Sequence, residues 1–347
     1  MTETTPVCFS FEGRLGNLLI GLSNALFYAE TTGTFLYLRN VQNSCLPDIE
    51  QTMFHPSLGR LVRTEETTRL ECSQTIREEI YWREQCSMTE NERRRILQQY
   101  VVPFFSLPFQ PSLPESHLVI HIRSGDIFQG VVHPSYLQPP LEYYRSIIEG
   151  GNYSQVTLVT EKDQSNPVVQ ILLEKYPKLV CIQSETLAFD VAFLMAASHL
   201  MIGVGSFAYT LSLCSQNLRR LYCFESQKSI FYHNSPYEII VLGTDPSYPT
   251  QWKGCTDPIL SPEWKIRVLN MTDAPTSWSI NWETSTSSPP SPSPHHQWPT
   301  ARSTRIGRPT PTPTPMPMPT PRSTSRPTPP TVQKKKKSPH SVYITKR

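Results

Sequence analysis

The stretch Leu118-Val119-Ile120-His121-Ile122-Arg123-Ser124-Gly125-Asp126 decides the fold of this chain of 347 residues. Its apolar first part, residues 118–122, predicts a buried strand, and an arginine, a glycine and an aspartate follow directly. In open α/β sheets, ligands collect in the crevice beyond the carboxyl ends of the strands. The stretch therefore predicts a strand that carries Arg123 and Asp126 to a ligand site.

Two further glycine-rich elements have the same setting, after an apolar run and before a helical pattern. They are Gly13-Arg14-Leu15-Gly16-Asn17 and Gly203-Val204-Gly205-Ser206-Phe207. Glycines let the chain turn tightly at a helix start, where the first N–H groups bind phosphate well. Taken alone, each loop is equally typical of an ordinary helix start, and Ser206 fits a helix cap. Together, the three elements predict a site for a phosphate-bearing donor.

Apolar runs and helical spacings alternate along most of the chain. In the N-terminal part, a strand over 7–11, a helix over 18–28 and a strand over 34–38 open a Rossmann-like half. A helix is predicted over 90–100, and the rest of 40–110 gives no topology. Beyond a proline-rich linker at 103–114, the pattern predicts strands at 118–122, 156–160, 179–182, 200–203 and 221–224, and helices at 141–148, 167–175, 186–198 and from 206.

This alternation predicts an α/β fold with a parallel, doubly wound sheet. We expect two Rossmann-like domains that face a cleft, residues 1–110 with the first glycine loop and residues 111–280 with the central strand. About 280 residues suffice for two cores of ordinary size.

Residues 281–347 have the composition of a disordered tail rich in Pro, Thr and Lys. They hold 16 of the 34 prolines and 11 Lys and Arg residues against one acid, while the rest of the chain is acidic. Thr-Pro alternation favours extended polyproline II without a core. The basic cluster Lys334–Lys337 offers a contact for an acidic surface, but no basic globular domain remains to suggest a nucleic-acid partner.

The chain's ends and cysteines favour a cytoplasmic protein. No signal peptide precedes the first strand, and no apolar run is long enough for a transmembrane segment. The eight cysteines include no C-x-x-C pair and no zinc spacing. Reduced, structural cysteines are favoured; the alternative is one or two disulfides among Cys45, Cys72, Cys86 and Cys255.

Arg123 has two interpretations at the end of the central strand. It pairs with Asp126 as a structural ion pair, or its planar guanidinium forks onto a diphosphate and stabilises charge on the leaving group. Asp190 is one of few acids in an apolar stretch and needs a partner, for which a ribose or a base is suited. Tyr143 and Tyr144 fit either an acceptor site or the core.

The order and wording of these elements resemble the fucosyltransferase superfamily, which includes α-1,2-, α-1,6- and protein O-fucosyltransferases. The resemblance covers roughly residues 7–225 and rests on the G-R-[LF]-G-N loop, the H-x-R-x-x-D strand end, and an acid followed by a serine–phenylalanine loop. It implies a GT-B fold and a glycosyltransferase that moves fucose from GDP-fucose to a glycan hydroxyl with inversion, without a metal or other cofactor.

The resemblance also implies roles for residues. Arg123 is the expected catalytic arginine on the β-phosphate, and the donor site is formed by Gly13, Arg14, Gly16, Asn17, His121, Asp190, Ser206 and Phe207. The resemblance implies no single base; by proximity to the central strand alone, Asp126 is a candidate for the base that activates the acceptor, and Glu12 is a weaker one. The chain departs from the family pattern at three positions, since Leu18 replaces a glutamine, Ser124 an arginine and Gly205 a hydroxyl residue.

The sequence also argues separately against a metal site, because no D-x-D triplet occurs and Glu161-Lys162-Asp163 is typical of a solvated surface loop. Two alternatives to the fucosyltransferase remain: an enzyme of the same fold with another nucleotide sugar, and a nucleotide- or glycan-binding relative without turnover.

Overall fold

The computed structural model describes residues 6–11, 13–64, 74–76, 88–108, 112–128, 138–163, 166–224, 236–243 and 277–280, without the side chains of 74–76, 126, 128 and 277–280. The chain divides into two units, Met1–Thr286 and Ser287–Arg347. The second unit, and with it the predicted disordered tail, lies outside the described residues. The domain boundaries predicted at 110 and 280 stay predictions.

The first sheet combines three parallel strands with an antiparallel edge. Its strands are β1 (Val7–Ser10), β2 (Leu36–Arg39), β3 (Thr52–His55), β4 (Arg60–Arg63) and β5 (Gln74–Ile76), in the order β4-β3-β2-β1-β5. β1 pairs in parallel with β2 and β5, whereas β2, β3 and β4 are antiparallel. Helix α1 (Leu15–Thr32) connects β1 to β2 and ends at Gly33, whose φ is 67°.

Seven strands form the second sheet: β6 (His117–Ile122), β7 (Gln155–Thr160), β8 (Val180–Ile182), β9 (His199–Ile202), β10 (Arg220–Phe224), β11 (Glu238–Leu242) and β12 (Ser277–Ile280). Their order is β12-β11-β10-β9-β6-β7-β8, and every pair except β11–β12 is parallel. The chain runs outward from β6 to β8 and then returns to β9 beside β6. The strand order therefore reverses between β6 and β9, which is the switch point where doubly wound sheets bind ligands.

Helices cover both faces of this second sheet. They are α3 (Leu141–Gly150), α4 (Pro167–Lys175), α5 (Leu187–Ala196) and α6 (Ser206–Cys214), and α2 (Glu90–Ile96) precedes the sheet in the chain. Alternate residues of β6 point to opposite faces, so that Val119 packs with α5 and α6 while Leu118 and Ile120 pack with α3 and α4. The doubly wound α/β fold predicted from the alternation is confirmed.

The sequence predicts two separate cores, one for each domain, but the buried cores of the two sheets are joined. One cluster runs without interruption from the first sheet through α1 and α2 to one face of the second sheet, and a second cluster fills the other face. The segment predicted as a linker joins the first cluster, because Phe105 is buried and Leu113 donates its N–H to the Ala196 carbonyl at 2.9 Å. The two sheets therefore share a packed boundary.

Candidate functional site

A cavity of about 490 Å³ lies where the carboxyl ends of the second sheet's strands meet the start of α1. All eight donor-site residues predicted from the sequence line it, together with Arg123. The lining residues are Gly13, Arg14, Leu15, Gly16, Asn17, Asn43, His121, Arg123, Gly125, Val159, Thr160, Glu161, Leu187, Asp190, Ser206 and Phe207. The three elements singled out in the sequence thus meet in one place, although no contact in the structure assigns them a ligand.

Arg123 follows β6 directly, and its backbone and side chain are held from two directions. Its carbonyl oxygen accepts a hydrogen bond from Asn166 Nδ2 at 3.0 Å, and Asn166 also caps α4 by accepting from the Val168 N–H. Its guanidinium lies against Gly205, at which an added Cβ would come within 2.4 Å of Arg123 Nη1. This arrangement presents the guanidinium to the cavity from a fixed strand end.

Three helices begin at this cavity, at Leu15 in α1, Leu187 in α5 and Ser206 in α6. None of the three has a side-chain hydrogen bond at its N-cap, and neither has α3, whereas α2 and α4 do. The first N–H groups of a helix lack intrahelical partners and carry partial positive charge. Their convergence near Arg14 and Arg123 makes the cavity suited to an anion.

Gly16 has a structural reason to be glycine. A Cβ at this position would lie 2.6 Å from the backbone nitrogen of Phe207, so the starts of α1 and α6 touch backbone to backbone. The same junction is bridged by Ser206 Oγ, which donates to Asn17 Oδ1 at 2.5 Å. The serine therefore joins the two sheets' helices rather than capping its own helix.

The Glu161-Lys162-Asp163 turn is exposed at Glu161 and Lys162, as expected of a surface loop, but its carboxylates also hold the turn after β6. The Ser124 N–H donates to Glu161 Oε2 at 2.6 Å, and Ser124 Oγ donates to Asp163 Oδ1 at 2.6 Å. Ser124 is completely buried, and Glu161 itself lines the cavity. The turn after β7 thus fixes the turn after β6 through Ser124, which does not itself line the cavity.

Three buried polar atoms at the cavity have no hydrogen-bond partner in the structure: His121 Nδ1, Thr160 Oγ1 and Asp190 Oδ1. Buried polar atoms in native proteins nearly always have a partner, so each orphan needs an explanation. Among the described residues that line this cavity, the three together present acceptor and donor capacity to a ligand.

Burial also shifts the pKa values of two of these groups. The pKa of His121 is lowered to about 4, first by burial and then by the charge of Arg123, so the imidazole is neutral at pH 7. Its ring lies 5.4 Å from that of Phe207, centroid to centroid. Burial raises the pKa of Asp190, which a hydrogen bond from Ser184 partly offsets.

The side chains of two predicted bases lie outside the described part of the structure, and two tyrosines with an open assignment belong to the core. The side chain of Asp126 and the whole of Glu12 are not described, so both candidate bases and the Arg123–Asp126 ion pair stay predictions. Tyr143 and Tyr144 are fully buried and belong to the core, where Tyr143 donates to the Ile202 carbonyl at 2.8 Å.

Outside the motifs quoted above, sequence reasoning missed five cavity residues: Asn43, Val159, Thr160, Glu161 and Leu187. A signal existed for Thr160 and Glu161, because they end the strand predicted next after β6, and parallel strands end at the same edge of a sheet. Asn43 lies in a stretch without apolar periodicity and offers no such signal.

Cysteines and metal ligands give two further findings. Cys8 is disulfide-bonded to a partner outside the described residues, which corrects the expectation that excluded it, whereas Cys45, Cys181, Cys214 and Cys223 are free thiols. Within the described residues, no group of three His, Cys, Asp or Glu side chains is placed to hold a metal ion. No helix in that part of the chain has the length and apolarity to cross a membrane.

Comparison with known proteins adds little to this geometry. No protein-family profile and no curated protein matches the chain. Among solved structures, E. coli heptosyltransferase WaaC with ADP matches at 10% sequence identity, covering 71% of this chain and 93% of that one with a TM-score of 0.35. A likeness of this size carries no argument about activity.

Proposed function

We propose that this protein is a glycosyltransferase that moves fucose from GDP-fucose to a glycan hydroxyl with inversion and without a metal. One observation carries the proposal: Arg123, three helix starts without side-chain caps and three unpartnered buried polar atoms meet in one cavity. Its volume of about 490 Å³ lies within the range of small-molecule sites. The choice of fucose and guanosine rests on the family resemblance of the sequence.

The diphosphate is proposed to lie between Arg123 and the starts of α1 and α6. A planar guanidinium can donate two parallel hydrogen bonds to phosphate oxygens, and helix N–H groups add donors that need no reorientation. Both stabilise the negative charge that builds on the leaving diphosphate. This charge compensation takes the place that a divalent cation has in metal-dependent transfer.

The orphaned atoms are proposed to bind the rest of the donor. Asp190 Oδ1 accepts from a hydroxyl or an N–H group of the nucleoside, and Thr160 Oγ1 can donate as well as accept. The neutral imidazole of His121 adds no charge beside Arg123, so the cationic side chains of the cavity lining are those of Arg14 and Arg123.

In the proposed reaction, the acceptor hydroxyl attacks the anomeric carbon on the face opposite the diphosphate. The new C–O bond forms as the bond to the diphosphate oxygen breaks, so that GDP leaves and the configuration inverts. The hydroxyl proton passes to a carboxylate base, for which Asp126 is the proposed group because of its place after the central strand.

Two departures from the family pattern, at Ser124 and Leu18, favour alternatives to a fucosyltransferase. Ser124, in place of an arginine, is engaged by Glu161 and Asp163, and Leu18, in place of a glutamine, is 1% exposed and lies in the core. Neither side chain is available to the donor. A site without the contacts of that arginine and that glutamine is also consistent with two alternatives. These are transfer of a sugar from a different nucleotide donor, and binding of a nucleotide without turnover.

The test is a transfer and hydrolysis assay with GDP-fucose, GDP-mannose, UDP-glucose and ADP-heptose, with and without EDTA. We expect release of GDP from GDP-fucose that survives EDTA. Arg123→Ala should reduce turnover at least 100-fold, on the order of 3 kcal/mol, and Arg123→Lys should recover little because it lacks the bidentate fork.

Arg63→Ala is the matched control, because Arg63 lies on β4 and forms an exposed ion pair with Asp48. It should leave turnover unchanged. Full turnover of Arg123→Ala would refute the proposed mechanism, turnover of another donor alone would reassign the substrate, and binding without turnover of any donor would favour the non-catalytic alternative.

A further inference from the structure

We propose that Gly205 is a positioning residue for Arg123: the missing side chain at the start of α6 is the space in which the guanidinium lies. The effect on nucleotide binding rests on the function proposed above, whereas the steric coupling between the two residues does not. Gly205 itself donates no side-chain group to a ligand and acts only through Arg123.

The geometry at this contact leaves no room for a side chain. A Cβ built on Gly205 would lie 2.4 Å from Arg123 Nη1, 3.5 Å from Cζ and 3.6 Å from Cδ. Carbon and nitrogen atoms in van der Waals contact are separated by about 3.5 Å or more. Any residue other than glycine would therefore have to displace the guanidinium, the backbone or both.

The backbone of Arg123 is the less movable of these parts. The strand that leads to it is β6, which lies between two paired strands, and its carbonyl accepts from Asn166 Nδ2 at 3.0 Å. Asn166 is 1% exposed and also caps α4. The side chain is therefore the part that gives way, and it would leave the position from which it reaches the cavity.

The φ of Gly205 is 95°, which non-glycine residues rarely adopt. A side chain at this position would therefore add backbone strain to the collision with the guanidinium. The Gly33→Ala control described below separates the two effects.

A double-mutant cycle on the full chain tests the coupling. Gly205→Ala and Arg123→Ala are made singly and together, and thermal unfolding is measured for each. We expect Gly205→Ala to lower the midpoint by several degrees, and a clearly smaller loss when Arg123→Ala has removed the guanidinium.

Gly33→Ala controls for backbone strain alone. Gly33 has a φ of 67° and no atom within 4 Å of an added Cβ, and it ends α1 roughly 27 Å from the cavity by helix length. It should lower the midpoint modestly, with the same loss in the Arg123→Ala background.

GDP affinity supplies the functional readout, with GDP itself as the probe. Gly205→Ala should weaken binding about tenfold, Gly33→Ala should not weaken it, and Gly205→Ala should add nothing to Arg123→Ala. If the unvaried protein binds no nucleotide, the proposed function fails while the unfolding cycle still tests Gly205.

Equal midpoint losses in both backgrounds would overturn the proposal. So would unfolding of both the single and the double variant, because the glycine would then be required for its φ and not for Arg123. If Gly205→Ala fails to fold but the double variant folds, relief of the collision by removal of the guanidinium supports the proposal.

Discussion

His121 shows at the scale of one residue how a site sets the charge of its own components. Burial and the neighbouring Arg123 hold its pKa near 4, against the ordinary value of 6.5. In the unfolded chain the imidazole binds a proton as the pH falls below 6.5. In the folded protein it stays neutral until the pH falls to about 4. The protein should therefore lose stability as the pH falls through this window.

We predict that His121→Gln flattens this pH dependence. The loss assigned to His121 between pH 6.5 and 4 is on the order of 3 kcal/mol in the free energy of unfolding. Denaturant unfolding at several pH values measures it, and the difference between the two proteins isolates His121 from the other histidines. Parallel stability curves for the two proteins would contradict the assigned pKa.

The site residues that the sequence predicted best are those at the end of a buried strand. Arg123 and His121 come to the cavity because β6 ends there, and an apolar run followed by charge reveals such an end. The orphaned state of Asp190 Oδ1 could not be read from sequence, because it depends on what α5 packs against. The partners of Ser124 lie in the exposed turn after β7, and nothing in the sequence indicates that this turn binds the one after β6.

At the scale of elements, the contact between α1 and α6 holds the first sheet's glycine loop against the second sheet. Gly16 allows this contact, and Ser206 and Asn17 bridge it by a hydrogen bond. The contact therefore keeps the two helix starts side by side at the cavity.

Gly16→Ala should destabilise the protein by about 1–3 kcal/mol, because its Cβ would overlap backbone atoms of Ser206 and Phe207 that cannot rotate away. Gly150→Ala is the control, since it lies at the end of α3 with nothing within 4 Å of an added Cβ. The control should be neutral or stabilised by up to about 1 kcal/mol. Equal unfolding free energies for both variants would show that the α1–α6 contact is not tight.

Elements with clear periodicity were predicted and the others were not. The strands and helices between residues 118 and 224 agree with the structure to within a few positions, because buried parallel strands are continuous apolar runs. β3 and β4 were missed since they form an antiparallel edge whose residues are partly exposed, as in the pattern of Arg60–Arg63. β11 and β12 were not predicted either; they lie within residues 225–280, where the sequence pattern gave no assignment.

At the scale of the whole molecule, every buried core residue described lies between Val7 and Leu242. The unit Ser287–Arg347 lies outside the described residues, and only its composition bears on whether it forms a core. Its prolines and basic residues give it a composition that cannot form one.

Removal of residues 287–347 is therefore expected to leave both the unfolding midpoint and nucleotide affinity unchanged. Thermal unfolding of the full and shortened chains, with and without GDP, measures this. A lower midpoint or weaker binding in the shortened chain would show that the tail contacts the folded unit. Loss of binding to acidic vesicles alone would agree with the expected role of Lys334–Lys337.

The most direct test of the account is the thermal shift of the full chain with GDP, UDP, CMP and ADP, each with and without EDTA, and of Arg123→Ala in parallel. We expect a rise in midpoint with GDP that survives EDTA and disappears in Arg123→Ala. At a ligand concentration 100 times Kd the stabilisation is about 2.7 kcal/mol. No shift with any of the four nucleotides would contradict a nucleotide site in this cavity.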